Sequence, residues 1–312
     1  MTEVLAPFLE ASVRLAVPLI LAALGELVSE RAGVLNIGLE GSIIAGALGG
    51  ALGALATGSP YAGLLVGMAA GVSLALLFGV VVIVFGGDQI ITGTAVTLAG
   101  LGVTGILYQE AFGATGTALT IPTLAAWRIP GLVELPLLGS ALFGQAPTAY
   151  VAYLLAPALA WLLFRTGWGL RARAVGEAPD AAAAAGVHVR AVRMGAVAFA
   201  GATAGLAGAH LSLAHAGTFA EGMSAGRGFI AIAVVVLGRW HPLGVFGAGL
   251  FFGAASAFQF FLQSLGLDLP YPLFLGLPYA LTLLALARWG GRTPAPAALA
   301  QPWPPPAGGG SP

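Results

Sequence analysis

The chain has no cysteine and no lysine. The first absence excludes disulfides, cysteine-ligated zinc and thiol chemistry. The second excludes a Gly-x-x-x-x-Gly-Lys-Ser/Thr phosphate loop, which reaches the nucleotide phosphates with a lysine ammonium. Charge of either sign is scarce. Asp, Glu, Lys and Arg make up 8% of the 312 residues, against about 25% in a soluble domain, and the net charge is zero. Such a chain offers no polybasic surface for nucleic acid. Four histidines form no His-Glu-x-x-His pair, and no paired aspartates stand at a catalytic spacing. An enzyme, and a metal enzyme above all, is not expected. The N-terminus shows no basic region followed by a small-residue cleavage site, so no removable signal peptide is expected either.

What the chain does have is apolar length. Hydrophobic residues make up 58% and the mean hydropathy is +0.95. A span needs about 20 mainly apolar residues, and stretches 11–28, 35–56, 61–85, 89–108, 147–164, 194–215, 242–263 and 271–288 qualify. They are continuous rather than alternating, which argues against a transmembrane β-barrel. The expected fold is an all-α polytopic membrane protein of about 8–10 transmembrane helices, some broken or half-length. One apolar piece, 228–238, is too short to cross alone. As a helix it would rise about 16 Å, half the hydrocarbon thickness. Flanked by Gly228 and Gly238, it reads as a half-helix ending at a midplane site, or as a plain buried short helix. The transmembrane domain is expected over 1–289, with 290–312, rich in Pro and Gly, as a disordered cytoplasmic tail.

A hydrophilic island, 165–193, interrupts the apolar runs and carries five of the twelve arginines: Arg165, Arg171, Arg173, Arg190 and Arg193. Arginine beside a span marks the cytoplasmic side. Counting spans outward from the island places 29–34 and 288–292 inside, with 109–146 and the N-terminus outside. Nine of the twelve arginines are then cytoplasmic, leaving Arg14, Arg128 and Arg227. Inside the island a short helix is legible. Pro179 suits its first position, Asp180 its positive end and Gly186 its C′ position, with five alanines between. So short and smooth a helix suits a groove on a soluble partner, or is an ordinary connector. Segment 109–146, rich in Thr and Pro, reads as an external docking surface or a plain loop.

Glycines crowd the spans: Gly41, Gly46, Gly49, Gly50 and Gly53, then Gly93, Gly100, Gly102 and Gly105, then Gly201 and Gly205. Tight helix packing in lipid accounts for most such residues, and unwound backbone along a cavity for others. Polar groups at membrane depth are fewer. Asn36 and Glu40 stand four apart, on one face of a helix. Glu40 reads as a helix-to-helix bond or as a substrate contact.

Four stretches carry a resemblance: ERAGVLNIGLEGSIIAGA from Glu30, GGDQIITGTAVTLAGLGVTGILY from Gly86, RAVGEAPDAAAAAGVHVRAVRMGAVAFAGATAGLAG from Arg173, and GRGFIAIAVVVLGRWHPLG from Gly226. They resemble ABC-importer permeases of the branched-chain amino acid, ribose and nucleoside type. The pattern E-R-x-G-x-x-N-x-G-x-E-G and GRWHPLG resemble the nucleoside and simple-sugar subunits most. Members commonly carry Asn where this chain has Asp88.

The resemblance implies a multi-pass permease of the prokaryotic inner or plasma membrane that translocates nucleosides. Its implied partners are a second, paralogous permease subunit, an ATP-binding-cassette ATPase and an extracytoplasmic binding protein. ATP and Mg would sit on the ATPase, with no cofactor in this chain. The loop would carry the coupling helix, with Glu177, Pro179, Asp180, Ala182, Ala183 and Gly186 at the ATPase. The substrate path would involve Asn36, Glu40, Gln89, Thr92 and Phe229, with free backbone N–H groups at the start of the half-helix. Simple sugars or branched-chain amino acids are the alternative cargo. A self-contained secondary transporter is the alternative class; it would show two similar halves, and no convincing internal repeat is present.

Overall fold

The computed structural model describes residues 2–113, 120–264, 270–289 and 295–303, and all regular structure among them is helical. In chain order the helices are α1 (Thr2–Arg31), α2 (Leu39–Thr57), α3 (Pro60–Val84), α4 (Gln89–Phe112), α5 (Gly139–Phe143) and α6 (Pro147–Arg165). There follow α7 (Gly167–Glu177), α8 (Pro179–Ala184), α9 (Val189–Ala216), α10 (Arg227–Leu237), α11 (Pro242–Ser264) and α12 (Tyr271–Trp289). Both α3 and α9 end in a π-helical turn. Among the described residues seven helices are long and apolar enough to cross a membrane: α1, α2, α3, α4, α6, α9 and α11. The 19-residue α12 and the 11-residue α10 complete the bundle. This is an all-α polytopic membrane protein. The second span is shorter than the hydropathy suggests, because 32–38 leaves the helix and folds back as an elbow between α1 and α2.

The centre is built from α1, α2, α3 and α9, joined by main-chain approach rather than large side chains. Gly63, Gly67 and Gly71 line α3 at four-residue spacing, opposite Gly201 and Gly205 of α9 and Gly46 and Gly50 of α2. A methyl group on Gly205 would overlap the Gly67 carbonyl oxygen, and one on Gly46 would overlap Gly205. Lipid tails are as apolar as leucine, so close van der Waals approach is what favours helix pairing there. On the outer side of α2, α4 seats Gly93 against Ile37 and Gly38, and Gly100 against Gly41. Packing thus accounts for most of the glycines. Among the described residues a methyl group on Gly102 would meet nothing within 4 Å from another element, and one on Gly105 would touch Glu221 at 3.9 Å.

Over one end of the bundle, 120–138 forms a cap held by main-chain bonds. Leu124 N–H donates to Leu213 O (2.9 Å), Trp127 N–H to Gln145 O (2.9 Å) and Ile129 N–H to Phe143 O (3.1 Å). The Tyr150 hydroxyl donates to Trp127 O (2.7 Å). At the opposite, arginine-rich end lie Arg31, α7, α8 and part of the C-terminal stretch. Residues 295–303 belong to the tail expected to be disordered, yet they pack here, with Ala298 N–H donating to Gly176 O (2.9 Å). The rest of that tail lies outside the described residues.

The absence of native cysteine makes sidedness directly measurable. Single cysteines replacing exposed Ala56 and Ala126, near the cap, and Ala185 and Arg190, at the arginine-rich end, serve as reporters. In intact cells an impermeant thiol reagent is expected to label positions 56 and 126 and to spare 185 and 190. Labelling at 185 would invert the orientation.

Candidate functional site

The elbow 32–38 is tied by buried polar side chains of α1 and α4. The Ser29 hydroxyl donates to Val34 O (2.8 Å), Leu35 N–H donates to Gln89 Oε1 (2.8 Å), and Asn36 N–H donates to Glu26 Oε1 (2.8 Å). Gly33 turns the chain with a φ of +85°, in the left-handed region that favours glycine. Away from water an unpaired backbone group is costly, so non-helical backbone survives there only where side chains replace the missing helical bonds. That is the work of Ser29, Glu26 and Gln89. Asp88 belongs to the same device one step removed. Its Oδ1 accepts from Ile90 N–H (2.9 Å) and Ile91 N–H (2.8 Å), capping α4 at the residue before Gln89. Asn and Asp serve about equally as N-caps, so Asn at position 88 would keep this cap.

Glu40 makes the second device. Its two carboxylate oxygens accept from Gly226 N–H (2.7 Å) and Gly228 N–H (2.6 Å), the first amides of half-helix α10. A carboxylate at a helix N-terminus satisfies orphan donors and opposes the helix dipole. The short helix forms where expected, and two N–H groups at its start, expected to be free, are occupied by Glu40. Glu40 is a bond between elements. The glycine at 228 is required by contact, since a methyl group there would overlap the Glu40 backbone.

At its other end α10 turns sharply through Arg239 and Trp240, both at positive φ (58° and 51°), and clamps the end of α1. The Trp240 indole N–H donates to Glu30 Oε2, and the Arg31 guanidinium donates to Trp240 O (2.8 Å from Nε). Phe164 completes the clamp, with the Arg31 and Arg173 guanidinium carbons 5.8 and 5.0 Å from its ring centre and the His241 ring stacked at 5.2 Å. The Glu-Arg pair of α1 and the Gly-Arg-Trp-His-Pro turn are thus two halves of one contact. Nothing in either stretch alone announces the other.

At the arginine-rich end α8 forms as expected. Pro179 occupies its first turn and Gly186, at φ +83°, ends it. Gly186 N–H donates to Ala183 O (2.9 Å) and Val187 N–H to Ala182 O (3.0 Å), the paired bonds of a Schellman stop. Ala182, however, is only 5% exposed and packs with Val175 and Val189 beneath the helix. It cannot belong to a docking face, because the six-residue helix needs one side to hold itself to α7 and α9. The outward side is Ala181, Ala184, Ala185 and Gly186, with Ala183 half-buried. Glu177 and Asp180 are exposed and bond the C-terminal stretch, Glu177 Oε2 accepting from Ala297 N–H (3.2 Å).

Of the residues expected on the path, Asn36, Glu40 and Gln89 gather at the elbow and are buried. Thr92 is half-buried near Gly87, and Phe229 stands 50% exposed on α10. Several polar atoms at the elbow lack a partner among the described residues: both side-chain atoms of Asn36, Nε2 of Gln89, Oε2 of Glu26 and Oε1 of Glu30. Buried polar atoms are usually paired, so this cluster stands apart from the ordinary packing around it. Glu26 and Trp240 were not among the expected site residues. Glu26 could have been found as a carboxylate deep in an apolar run, whereas Trp240 carries no such signal.

Against the expectation that the chain holds no hydrolase elbow, Gly222-Met-Ser-Ala-Gly226 spells its Gly-x-Ser-x-Gly pattern. It lacks that elbow's setting. The pattern lies in turns between the π-helical end of α9 and the start of α10, and among the described residues the enclosed Ser224 hydroxyl has no hydrogen-bond partner. His210 is committed to the Thr148 hydroxyl (2.6 Å).

Comparison with known proteins agrees with this architecture. Residues 8–286 match the family described as branched-chain amino acid transport system / permease component. The guanosine ABC transporter permease NupQ of Bacillus subtilis is 39% identical, covering 96% of this chain and 97% of its own. TsgC13 of Haloferax volcanii, provisionally named a glucose ABC transporter permease, is 42% identical over 85% of this chain and 80% of its own. The nucleoside ABC transporter permease NupC of Lactococcus lactis is 31% identical over 90% and 91%. No solved structure matches the chain significantly. A bundle in which seven of the described helices are long and apolar enough to cross a membrane, a short helix capped from the neighbouring span, and a family match over almost the whole length lead to one assignment: the chain belongs to the branched-chain amino acid transport system permease family and is a multi-pass ABC transporter permease of the prokaryotic cell membrane.

Proposed function

We propose that this permease carries nucleosides inward, with α8 as the helix through which a separate ATPase drives it. The observation that carries the mechanism is the short capped helix, smooth on its outward side, at the arginine-rich end of a bundle with no phosphate loop of its own. Two near-full-length relatives named for guanosine and nucleoside support the cargo. A nucleoside is neutral and rich in hydrogen-bonding groups, so its path needs amides and hydroxyls rather than a strong charge. Asn36 and Gln89 carry unpaired amide atoms at the elbow, and Thr92 and Phe229 lie on the helices beside it. In this reading a push on α8 passes through α7 to the elbow and exposes those amides to the path. A binding protein delivers the solute at the outer cap, and a second permease copy or paralogue closes the path. The relative named for glucose supports simple sugars as the second reading.

The test of docking uses Ala184→Trp, on the outward face, rather than a change at buried Ala182. The variant is expected to insert normally, lose co-purification with the ATPase, and lose uptake. Full ATPase binding by Ala184→Trp would sink the docking role. The cargo is tested by uptake of labelled guanosine in vesicles carrying the whole complex, with unlabelled nucleosides or glucose as competitors. Competition by glucose alone would move the assignment to sugars.

A further inference from the structure

The stretch 295–303 touches four parts of the arginine-rich end at once. Ala298 N–H donates to Gly176 O (2.9 Å) and Ala297 N–H to Glu177 Oε2 (3.2 Å), both at the end of α7. The Trp303 indole N–H donates to Asp180 Oδ1 (2.7 Å), on the first turn of α8. Arg193, at the start of α9, donates from Nη1 to Gln301 O (3.0 Å). The Trp303 ring packs with Val187 and Val189 on the small apolar cluster that holds α8. Ala298 is buried, and a methyl group on Gly33 of the elbow would meet its carbonyl oxygen at 3.2 Å. One peptide therefore contacts α7, α8, α9 and the elbow together.

A six-residue helix is only weakly held by its own contacts, since it closes barely two turns and buries one small face. Two adjoining residues, Ala178 and Gly186, are also hinge-like: Ala178 interrupts the helix before α8, and Gly186 ends it. An external tie is what converts such a helix into a rigid lever. We propose that Ala295–Trp303 is a strap that fixes α8 relative to α7 and the elbow, so that force applied to α8 reaches the buried polar cluster instead of being absorbed by local movement. Trp303 and Asp180 form its latch, and both are positioning residues. This rests on α8 being the ATPase-facing helix.

The test uses the complete transporter in proteoliposomes, with the variants Trp303→Ala, Asp180→Ala and Asp180→Asn and a chain ending at residue 294. Losing a hydrogen bond to a charged acceptor is expected to raise amide exchange across 180–187 about tenfold in Trp303→Ala and in the shortened chain. Exchange in α1 and α9 should stay as it is. Solute moved per ATP hydrolysed should fall in the same variants while the ATPase remains bound. Asp180→Asn retains an oxygen acceptor for the indole N–H and should behave as the parent, whereas Asp180→Ala should match Trp303→Ala. Unchanged exchange in both Trp303→Ala and the shortened chain overturns the strap, as does faster exchange with an unchanged transport ratio. A failure of the docking reading appears elsewhere, as an Ala184→Trp variant that still binds the ATPase.

Discussion

Replacing Gly205 by leucine is expected to leave no folded permease in the membrane. A side chain at this position meets the main chain of α3, not a flexible neighbour. The first methyl group already overlaps Gly67 O and lies 3.0 Å from the Met68 Cα. Overpacking where side chains can yield costs about 1–3 kcal/mol. Here α9 and α3 would have to move apart along main chain that cannot yield, losing the close approach that holds them in lipid, so the cost should exceed that range. Gly102→Leu is the matched control, because that glycine has open space around it. Both variants are read by size-exclusion profile and thermal denaturation in detergent. A monodisperse, parent-like Gly205→Leu would mean that α3 and α9 do not cross as described.

Glu40→Ala is expected to detach the start of α10 from α2. The half-buried amide of Gly226 and the buried amide of Gly228 both lose their acceptor oxygens. Each unsatisfied donor costs about 1–3 kcal/mol, so the pair is worth about 2–6 kcal/mol, with loss of the charge opposite the helix dipole adding to it. Glu40→Gln keeps one acceptor oxygen and should fall between parent and alanine. Asn36→Ala breaks no side-chain hydrogen bond among the described residues, because Asn36 is held through its backbone N–H. It should therefore spare stability while lowering flux. Melting temperature and uptake measured side by side separate the two roles. Equal melting temperatures for Glu40→Ala and Asn36→Ala would show that the carboxylate does not cap the half-helix.

The difference between those two residues shows where sequence reading stops. Asn36 and Glu40 share a spacing that would put them on one helical face, yet α2 begins at Leu39 and Asn36 sits in the elbow, so they serve different elements. Periodicity sees neighbours along one helix and is blind to a partner nearly two hundred residues away, as with Glu40 and Gly228. The same blindness hid Trp240 beneath Glu30 and Trp303 beside Asp180.

Local chemistry was sufficient for whatever depends on a residue and its near neighbours in solvent or lipid. Apolar length determined the spans, arginine density determined the expected sidedness, and Pro179 with Gly186 bounded α8. The half-length of 228–238 was also legible, because eleven residues cannot rise far enough to cross. The tertiary structure alone decided which buried donors meet which acceptors: Glu40 at the head of α10, Glu26 and Gln89 at the elbow, Ala182 turned inward, and 295–303 held against the loop. The physical reason is that lipid offers buried polar groups no solvent partner. Each must find its partner across the fold, and a partner across the fold leaves no trace in local spacing.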